Sequence, residues 1–319
     1  MDIVYLCDNN YAMPTIVSIN SLILNKNDDS YYKVHVLCDN VSDENIEKLL
    51  SLKRDKVLID IINVNSNQYE GLEKEYSNVS KSALLKFSIA NYLNKVRKVL
   101  YLDGDTIILK DLSEMNYIDL SDNYAAVVKD GPKDKIAGGK KHKYYGEKNY
   151  FNSGMMLLNL DKIRQDDIVE KLIKYRMNEY NYFMDQDAFN MIFKNKVLYL
   201  GLEYDFMLHL ISYINSSFSL EQLIKFYDLK EYKTIDDLFS NISIIHYTFA
   251  KPWEYFDIPF NEIWMDYYKK SPAYAVKVKR DSIMTKMYTT KTYAFSRKLS
   301  SFIRKLLFFK YNWNCSKKG

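Results

Sequence analysis

Three strand-length apolar runs, each separated from the next by a helical pattern, constrain this chain more than any other feature. They are IVYLC (3–7), VHVLCD (34–39) and VLIDIINV (57–64), all too short for helices. Between the first two, Pro14–Asn25 carries Ile16, Ile19, Leu22 and Ile23 at helical spacing. Between the second and third, Ser42 opens a helix that runs through Asn45, Ile46, Leu49 and Leu50. A β-α-β-α-β start of this kind folds as a parallel sheet with covering helices.

The pattern continues in the same style. Residues 80–95 read as a helix, with Leu84, Phe87, Ala90/Asn91 and Leu93/Asn94 on or near one face, feeding KVLYLD (98–103), which is apolar enough for a central strand. AAVVKD (125–130), FNSGMMLLNL (151–160), a helix at 166–180, VLYLG (197–201) and a last strand-like run, NISIIHYTF (241–249), follow. The Gly/Lys-rich stretch 131–149 reads as a loop able to act as a lid. There is no internal repeat.

At 319 residues and 47% hydrophobic, the chain can bury one large core or two modest ones, and 15% aromatic residues argue against disorder. The start, MDIVYLCDNNY, has no basic segment and only a five-residue apolar run, so neither a signal peptide nor a span is expected there. Cys7, Cys38 and Cys315 are odd in number and far apart, which argues for a reducing compartment, and a cytoplasmic protein is expected. Charge is uneven: residues 271–319 hold twelve Lys/Arg against the single acid Asp281, on a body that is otherwise mildly acidic.

Asp103 and Asp105 close the apolar run 98–102. Residues i and i+2 of an extended chain face the same side, so both carboxylates can converge on one cation. In open α/β sheets ligands sit beyond the carboxyl ends of the strands, where this pair falls. Two oxygen ligands suit Mg²⁺ or Mn²⁺ carrying a phosphorylated substrate. The spacing alone is weak, since Asp185-Gln186-Asp187 repeats it and solvated loop acids are common. Three further features add to it. Asp8-Asn9-Asn10 ends the first strand, a position suited to gripping a nucleotide, although an ordinary Asx turn has the same composition. DQDAFN (185–190) leads into an apolar helix, as a plain N-cap also does. IIHYTFAKPW (244–253) ends a strand at His246, whose imidazole would bias a shared metal toward Mn²⁺.

In order along the chain, IVYLCDNNY, LLKFSIANYL, KVLYLDGDTIILKDL, YFNSGMMLLNL, DQDAFN and HYTFAKPW resemble the family 8 glycosyltransferases, retaining enzymes that include bacterial lipopolysaccharide α-galactosyl- and α-glucosyltransferases. The resemblance covers residues 1–265 and implies a GT-A fold, a Rossmann-like nucleotide-binding mixed sheet flanked by helices. Residues 266–319 are left as a basic, aromatic C-terminal region. It implies that Asp103, Asp105 and His246 ligate Mn²⁺ or Mg²⁺ on the diphosphate of UDP-galactose or UDP-glucose, with Gly104 between the two acids. It also implies that Asp8, Asn10 and the backbone near Leu6 hold uracil and ribose, that Lys251 meets the pyrophosphate, and that Asp130, Asn152, Asp185 and Gln186 line the sugar pocket. Two departures stand out. Lys86 occupies a position where the family commonly has Arg, keeping the charge but losing the two-pronged geometry. Thr248-Phe249-Ala250 follow His246 where a Gly is common.

The chemistry implied is departure of UDP, with its developing charge stabilised by the metal and Lys251. The residue expected nearest the sugar's β-face is Gln186, a feeble nucleophile, so a front-face displacement is expected, with Asp185 and Asp130 orienting hydroxyls. The acceptor is expected to be a glycan or glycolipid of the cell surface. At 295–311, Leu299, Phe302, Ile303, Leu306 and Leu307 fall at helical spacing with Arg297, Lys298, Arg304, Lys305 and Lys310 largely off that stripe. This reads as an interfacial helix for the inner membrane surface, or as a terminal helix packed on the body. No base-reading motif accompanies the charge, so nucleic acid is not expected. Two rivals remain. A haloacid dehalogenase-type phosphatase would carry Asp-x-Asp-Gly-Thr near its start, whereas here Thr106 directly follows Asp105 a hundred residues in. A catalytically inactive UDP-sugar-binding partner would accommodate the two departures.

Overall fold

The computed structural model describes residues 1–69, 81–131, 149–179, 183–211, 220–229, 232, 234–248, 250–275, 278 and 280–283. The expected lid is therefore outside the described residues except at its two ends, and so is the whole of the basic helix 295–311. No described helix is long and apolar enough to cross a membrane.

The first half follows the sequence pattern closely. β1 (Asp2–Asp8), α1 (Ala12–Asn25), β2 (Tyr32–Asp39), α2 (Asp43–Leu50) and β3 (Val57–Val64) appear in that order, and β1–β2 and β2–β3 pair in parallel. The chain then crosses back, so that β4 (Lys98–Leu102) joins the other side of β1, also in parallel. That reversal of strand order opens a crevice beyond the carboxyl ends of β1 and β4, between Asp8 and Asp103.

β5 (Thr106–Ile108), β6 (Ala125–Lys129), β7 (Phe151–Asn159), β8 (Val197–Tyr199), β9 (Phe206–Met207) and β10 (Ile244–His246) complete two sheets. The large one runs β3-β2-β1-β4-β7-β6-β8, and the small one β5-β10-β9. β7 is antiparallel to both β4 and β6, so the sheet is mixed. β1 shows why the central strands are apolar on both faces: Ile3, Tyr5 and Cys7 belong to the core under α1, while Val4 and Leu6 belong to the core on the opposite face with Leu84, Phe87 and Phe189. β3, at the edge, is mostly half-exposed and carries Asp60 and Asn63.

Two expectations are corrected. Residues 80–95 do not form one α-helix. A 3₁₀ stretch, Lys81–Ser88, passes into a single α turn, α3 (Ile89–Tyr92). Leu84 and Phe87 lie in the 3₁₀ stretch, Ala90 in the α turn and Leu93 directly after it, and all four are buried. The helix expected at 166–180 is α5 (Ile168–Asn178), entered through a left-handed Asp167, and a short helix the sequence reading did not name, α4 (Leu160–Gln165), precedes it, capped by the Asn159 side chain on the Lys162 N–H at 3.1 Å. The last strand is only Ile244–His246, because Asn241 ends the helix Ile235–Asn241. α6 (Met184–Ile192) carries the DQD triplet in its first turn. The helix Asn261–Lys269 runs across residue 265, with Trp264 and Tyr268 buried in the main core.

Candidate active site

The two acids are placed by backbone constraints that reach across the molecule. The Asp103 N–H donates to the Gly154 carbonyl on β7 at 2.8 Å, and Thr106 Oγ1 donates to the Asp103 carbonyl at 2.8 Å. Thr106 is tied through Ser18 to Tyr5, at 2.9 and 3.1 Å, which locks the turn onto α1 and β1. Gly104 lies so close to Thr15 of α1 that a Cβ there would overlap Thr15 Oγ1. β10 then pairs with β5, His246 opposite Thr106, and so delivers the imidazole to the acids.

His246 Nε2 lies 3.4 Å from Asp105 Oδ1 and 3.7 Å from Asp103 Oδ2, and one ligand atom from each of the three residues falls within 4.8 Å of the others. Gly154 makes room for this approach: a Cβ there would overlap His246 Cε1 and stand 2.7 Å from Asp103 Oδ2. Two carboxylates and an imidazole, held around a backbone with no side chain, fit a Mn²⁺-type cation. His246 Nδ1 faces the other way, 3.0 Å from Asp205 Oδ1, and Asp205 is fully buried. Burial alone would depress the imidazole, but Asp205 and Asp105 outweigh it and push it up to about 10. Burial would raise the Asp105 carboxyl, but Lys251 and His246 hold it far below the usual carboxylate range.

Lys251 donates to Asp105 Oδ2 and, at 2.7 Å, to the Tyr247 carbonyl, so the residue expected at the pyrophosphate is seated on the acid pair. Lys86 is buried, 3.0 Å from Asp103 Oδ1 and 2.9 Å from Asp185 Oδ2, with its ammonium 4.9 Å above the Tyr101 ring. Burial opposes its charge, but Asp103 and Asp185 more than compensate and hold it above the ordinary lysine range.

Beyond Lys86 lies a buried polar chain. Asp185 accepts from Ser153 Oγ at 2.8 Å. Gln186 Oε1 accepts from Asn152 Nδ2 at 3.1 Å and the Ser153 N–H at 3.2 Å, while its Nε2 donates to Asp130 Oδ2 at 2.7 Å. Asp130 Oδ1 lies 3.0 Å from His209 Nε2, and His209 Nδ1 pairs with Thr248 Oγ1 at 2.8 Å. On the crevice side, Asp8 Oδ1 accepts the Tyr11 N–H at 2.9 Å, closing the turn that starts α1. Asn10 is exposed, Asn9 is committed to Ser42 and Asn45 at 3.1 and 2.9 Å, and the Leu6 side chain belongs to the core, which leaves only its backbone to face a ligand. Tyr11 is 37% exposed and packs edge-on against Trp253. Burial, with Asp105 and Asp103 next, holds its hydroxyl above the ordinary tyrosine range.

Asp103, Asp105, His246, Lys251, Lys86, Asp185, Gln186, Asn152 and Asp130 thus lie in one connected network, to which, among the described residues, no hydrogen bond or ion pair ties Leu6 or Asn10. Tyr11, Ser153, Gly154, Asp205 and His209 were not singled out from the sequence, and Thr248 was noted only as standing where a Gly is common. FNSG and the H-Y-T run contained three of them. His209 is one of only four histidines, a rarity that could have drawn notice. Asp205 has no local signal, because its partner is 41 residues away.

The model of glycosyl transferase family 8 matches residues 2–257. Lipopolysaccharide glucosyltransferase WaaO of Escherichia coli K12 is 29% identical over 287 residues, covering 85% of this chain and 78% of WaaO. Glycosyltransferase GlyB of Streptococcus pneumoniae is 29% identical over 271 residues, 83% of this chain but only 61% of the length of GlyB. A crystal structure of an active-site mutant of LgtC superposes with a TM-score of 0.70 at 25% identity, covering 85% of this chain and 96% of that one. The mixed sheet flanked by helices is therefore a GT-A-type fold. With four fifths of its length matched by the family model, the chain belongs to glycosyl transferase family 8.

Proposed function

We propose that this protein is a retaining hexosyltransferase that moves galactose or glucose from UDP to a glycan acceptor of the cell surface, of lipopolysaccharide, lipooligosaccharide or capsule type. One observation carries the reading. The Asp103–Asp105–His246 cluster is joined through Lys86 to Asp185 and the buried Gln186–Asp130 pair, while the partly exposed Tyr11, whose turn Asp8 closes, packs on Trp253, two residues from Lys251. Such a set offers groups for the base, diphosphate and sugar of a nucleotide sugar.

Asp103, Asp105 and His246 would hold Mn²⁺ or Mg²⁺, and the bound cation supplies Lewis-acid stabilisation of the departing diphosphate. Lys251, already on Asp105, stands within reach to add a second positive charge there. The Tyr11 ring offers a stacking face for the base. Lys86 keeps Asp103 and Asp185 together as a point charge where a guanidinium would fork.

The pocket chain speaks to how configuration is retained. Gln186 Oε1 already accepts two hydrogen bonds and its Nε2 donates to Asp130, so the amide has no free lone pair aimed at a sugar. Asp185 is paired with an ammonium and a hydroxyl, which weakens it as a nucleophile. A front-face displacement is favoured. The bond from the anomeric carbon to phosphate breaks, the bond to the acceptor oxygen forms, and the hydroxyl proton passes to the departing phosphate oxygen. Asp130 and Asp185 orient hydroxyls. A covalent sugar adduct on Asp185 or Gln186 would overturn this.

The relatedness to WaaO supports a lipopolysaccharide-type acceptor, and a cytoplasmic, membrane-peripheral location is proposed from the basic segment of the sequence alone. The test is UDP release from a panel of UDP-sugars with Mn²⁺, with and without glycan acceptors, comparing the parent with Asp103→Ala/Asp105→Ala. Metal-dependent release from one donor, lost in the variant, supports the enzyme and names its sugar. UDP binding with no release from any donor, acceptors included, would favour the non-catalytic binding protein.

A further inference from the structure

We infer, resting on the metal site proposed above, that Asp205 is a positioning residue for that site: its carboxylate fixes the His246 ring so that Nε2 is the nitrogen offered to the cation. The two nitrogens of His246 have opposite surroundings. Nε2 opens on Asp105 Oδ1 and Asp103 Oδ2 at 3.4 and 3.7 Å, and Nδ1 faces Asp205 Oδ1 at 3.0 Å. With Nδ1–H donated to a carboxylate, the lone pair of the neutral ring must lie on Nε2, toward the two acids.

The placement is built into the fold. Asp205 precedes β9, β9 pairs in parallel with β10 with Met207 opposite His246, and the Leu208 N–H donates to the His246 carbonyl at 2.8 Å. The carboxylate is therefore held behind the ring by backbone register, at 0% exposure. Gly154 leaves room for the ring at Cε1, the atom between the two nitrogens, where any Cβ would overlap it.

Asp205 Oδ2 is buried without a partner among the described residues. A group serving only to tether Nδ1–H could be a carbonyl, which leaves no such orphan and carries no charge. A carboxylate adds negative charge behind the ring, raising its basicity as a ligand and attracting a divalent ion through it.

The experiment is Mn²⁺ binding to the full chain without nucleotide, read by calorimetry and by pulsed EPR for imidazole ¹⁴N coupling, in the parent, Asp205→Asn and Asp205→Leu. Asn keeps the acceptor and removes the charge, so the coupling is retained and affinity falls roughly tenfold. Leu removes both, so the coupling is lost and affinity falls about 10- to 100-fold. Parent-like affinity in Asp205→Asn, or parent-like coupling in a folded Asp205→Leu, overturns the inference while leaving the metal site standing. Failure of the parent itself to bind Mn²⁺ overturns the metal reading and the inference together. If Asp205→Leu does not fold, the affinity of Asp205→Asn alone decides.

Discussion

Gln186 donates from Nε2 to Asp130 Oδ2 at 2.7 Å, and both side chains are buried. The amide is thereby a strut between β7 and the end of β6. Gln186→Ala removes it and leaves Asp130 and the Asn152 amide short of partners, at a cost of about 1–3 kcal/mol for a buried polar group. If that cost falls on the transition state, transfer slows by about one to two orders of magnitude. Steady-state kinetics on the preferred donor is the check, and an unchanged kcat would remove Gln186 from the machinery.

Lys86 bridges Asp103 and Asp185 from a buried position. Lys86→Met leaves both carboxylates uncompensated and is expected to lower stability by about 3 kcal/mol, the low end for a broken buried pair because Asp103 is partly exposed. Lys86→Arg keeps the charge and is expected to cost less. Urea denaturation of the three proteins measures this, and equal midpoints for Met and parent would show that the bridge contributes nothing.

Gly154→Ala places a methyl group into His246 Cε1, 2.7 Å from Asp103 Oδ2 and 2.9 Å from Asn152 Oδ1. Overpacking of this kind costs about 1–3 kcal/mol, and here it also displaces two of the three residues that would hold the cation. Mn²⁺ affinity is expected to fall at least roughly tenfold, as for other disturbances of ligand orientation. Unchanged Mn²⁺ binding would mean that the site lies elsewhere.

Cation binding should be proton-linked. His246 is pushed up to about 10 chiefly by Asp205 and Asp105 against its burial, and imidazole ligates only when neutral. Below that value uptake of a cation releases one proton, so apparent Mn²⁺ affinity rises by roughly tenfold per pH unit as pH increases toward it. Calorimetry in two buffers of different ionisation enthalpy counts the proton. A pH-independent affinity between pH 6.5 and 8.5 would exclude His246 as a ligand.

Asp111 supports stability in acid. Burial would raise its carboxyl, but the Ser113 hydroxyl, Ser30 and the N–H groups of Asn27 and Ser113 outweigh it and hold it at about 2, against an ordinary 3.8. The folded value is depressed, so the contribution is complete above the ordinary value and fades as pH falls from there toward 2. Discounted for its partial exposure, it amounts to about 1 kcal/mol. In Asp111→Asn, the stability difference between pH 6 and pH 3 should shrink by part of that amount in urea titrations, the remainder being lost only as pH falls toward 2. An identical pH dependence in both proteins would refute the assignment.

What the sequence determined by itself is the part governed by short-range physics. Runs such as IVYLC and VHVLCD can only be covered strands, the segments between them have helical period, and Asp103, Asp105 and His246 were each recognisable at strand ends. Spacing could not separate a 3₁₀ from an α-helix at Lys81–Ser88, because both bury an i, i+3 row and hydrogen bonding to the rest of the chain decides. Tertiary structure alone decided which polar groups face one another. Lys86 between Asp103 and Asp185, Gln186 on Asp130, and Asp205 behind His246 are pairs 17 to 99 residues apart in sequence. Such partners are set by strand order and register, which the burial of two apolar faces selects, and no local preference in the chain encodes them.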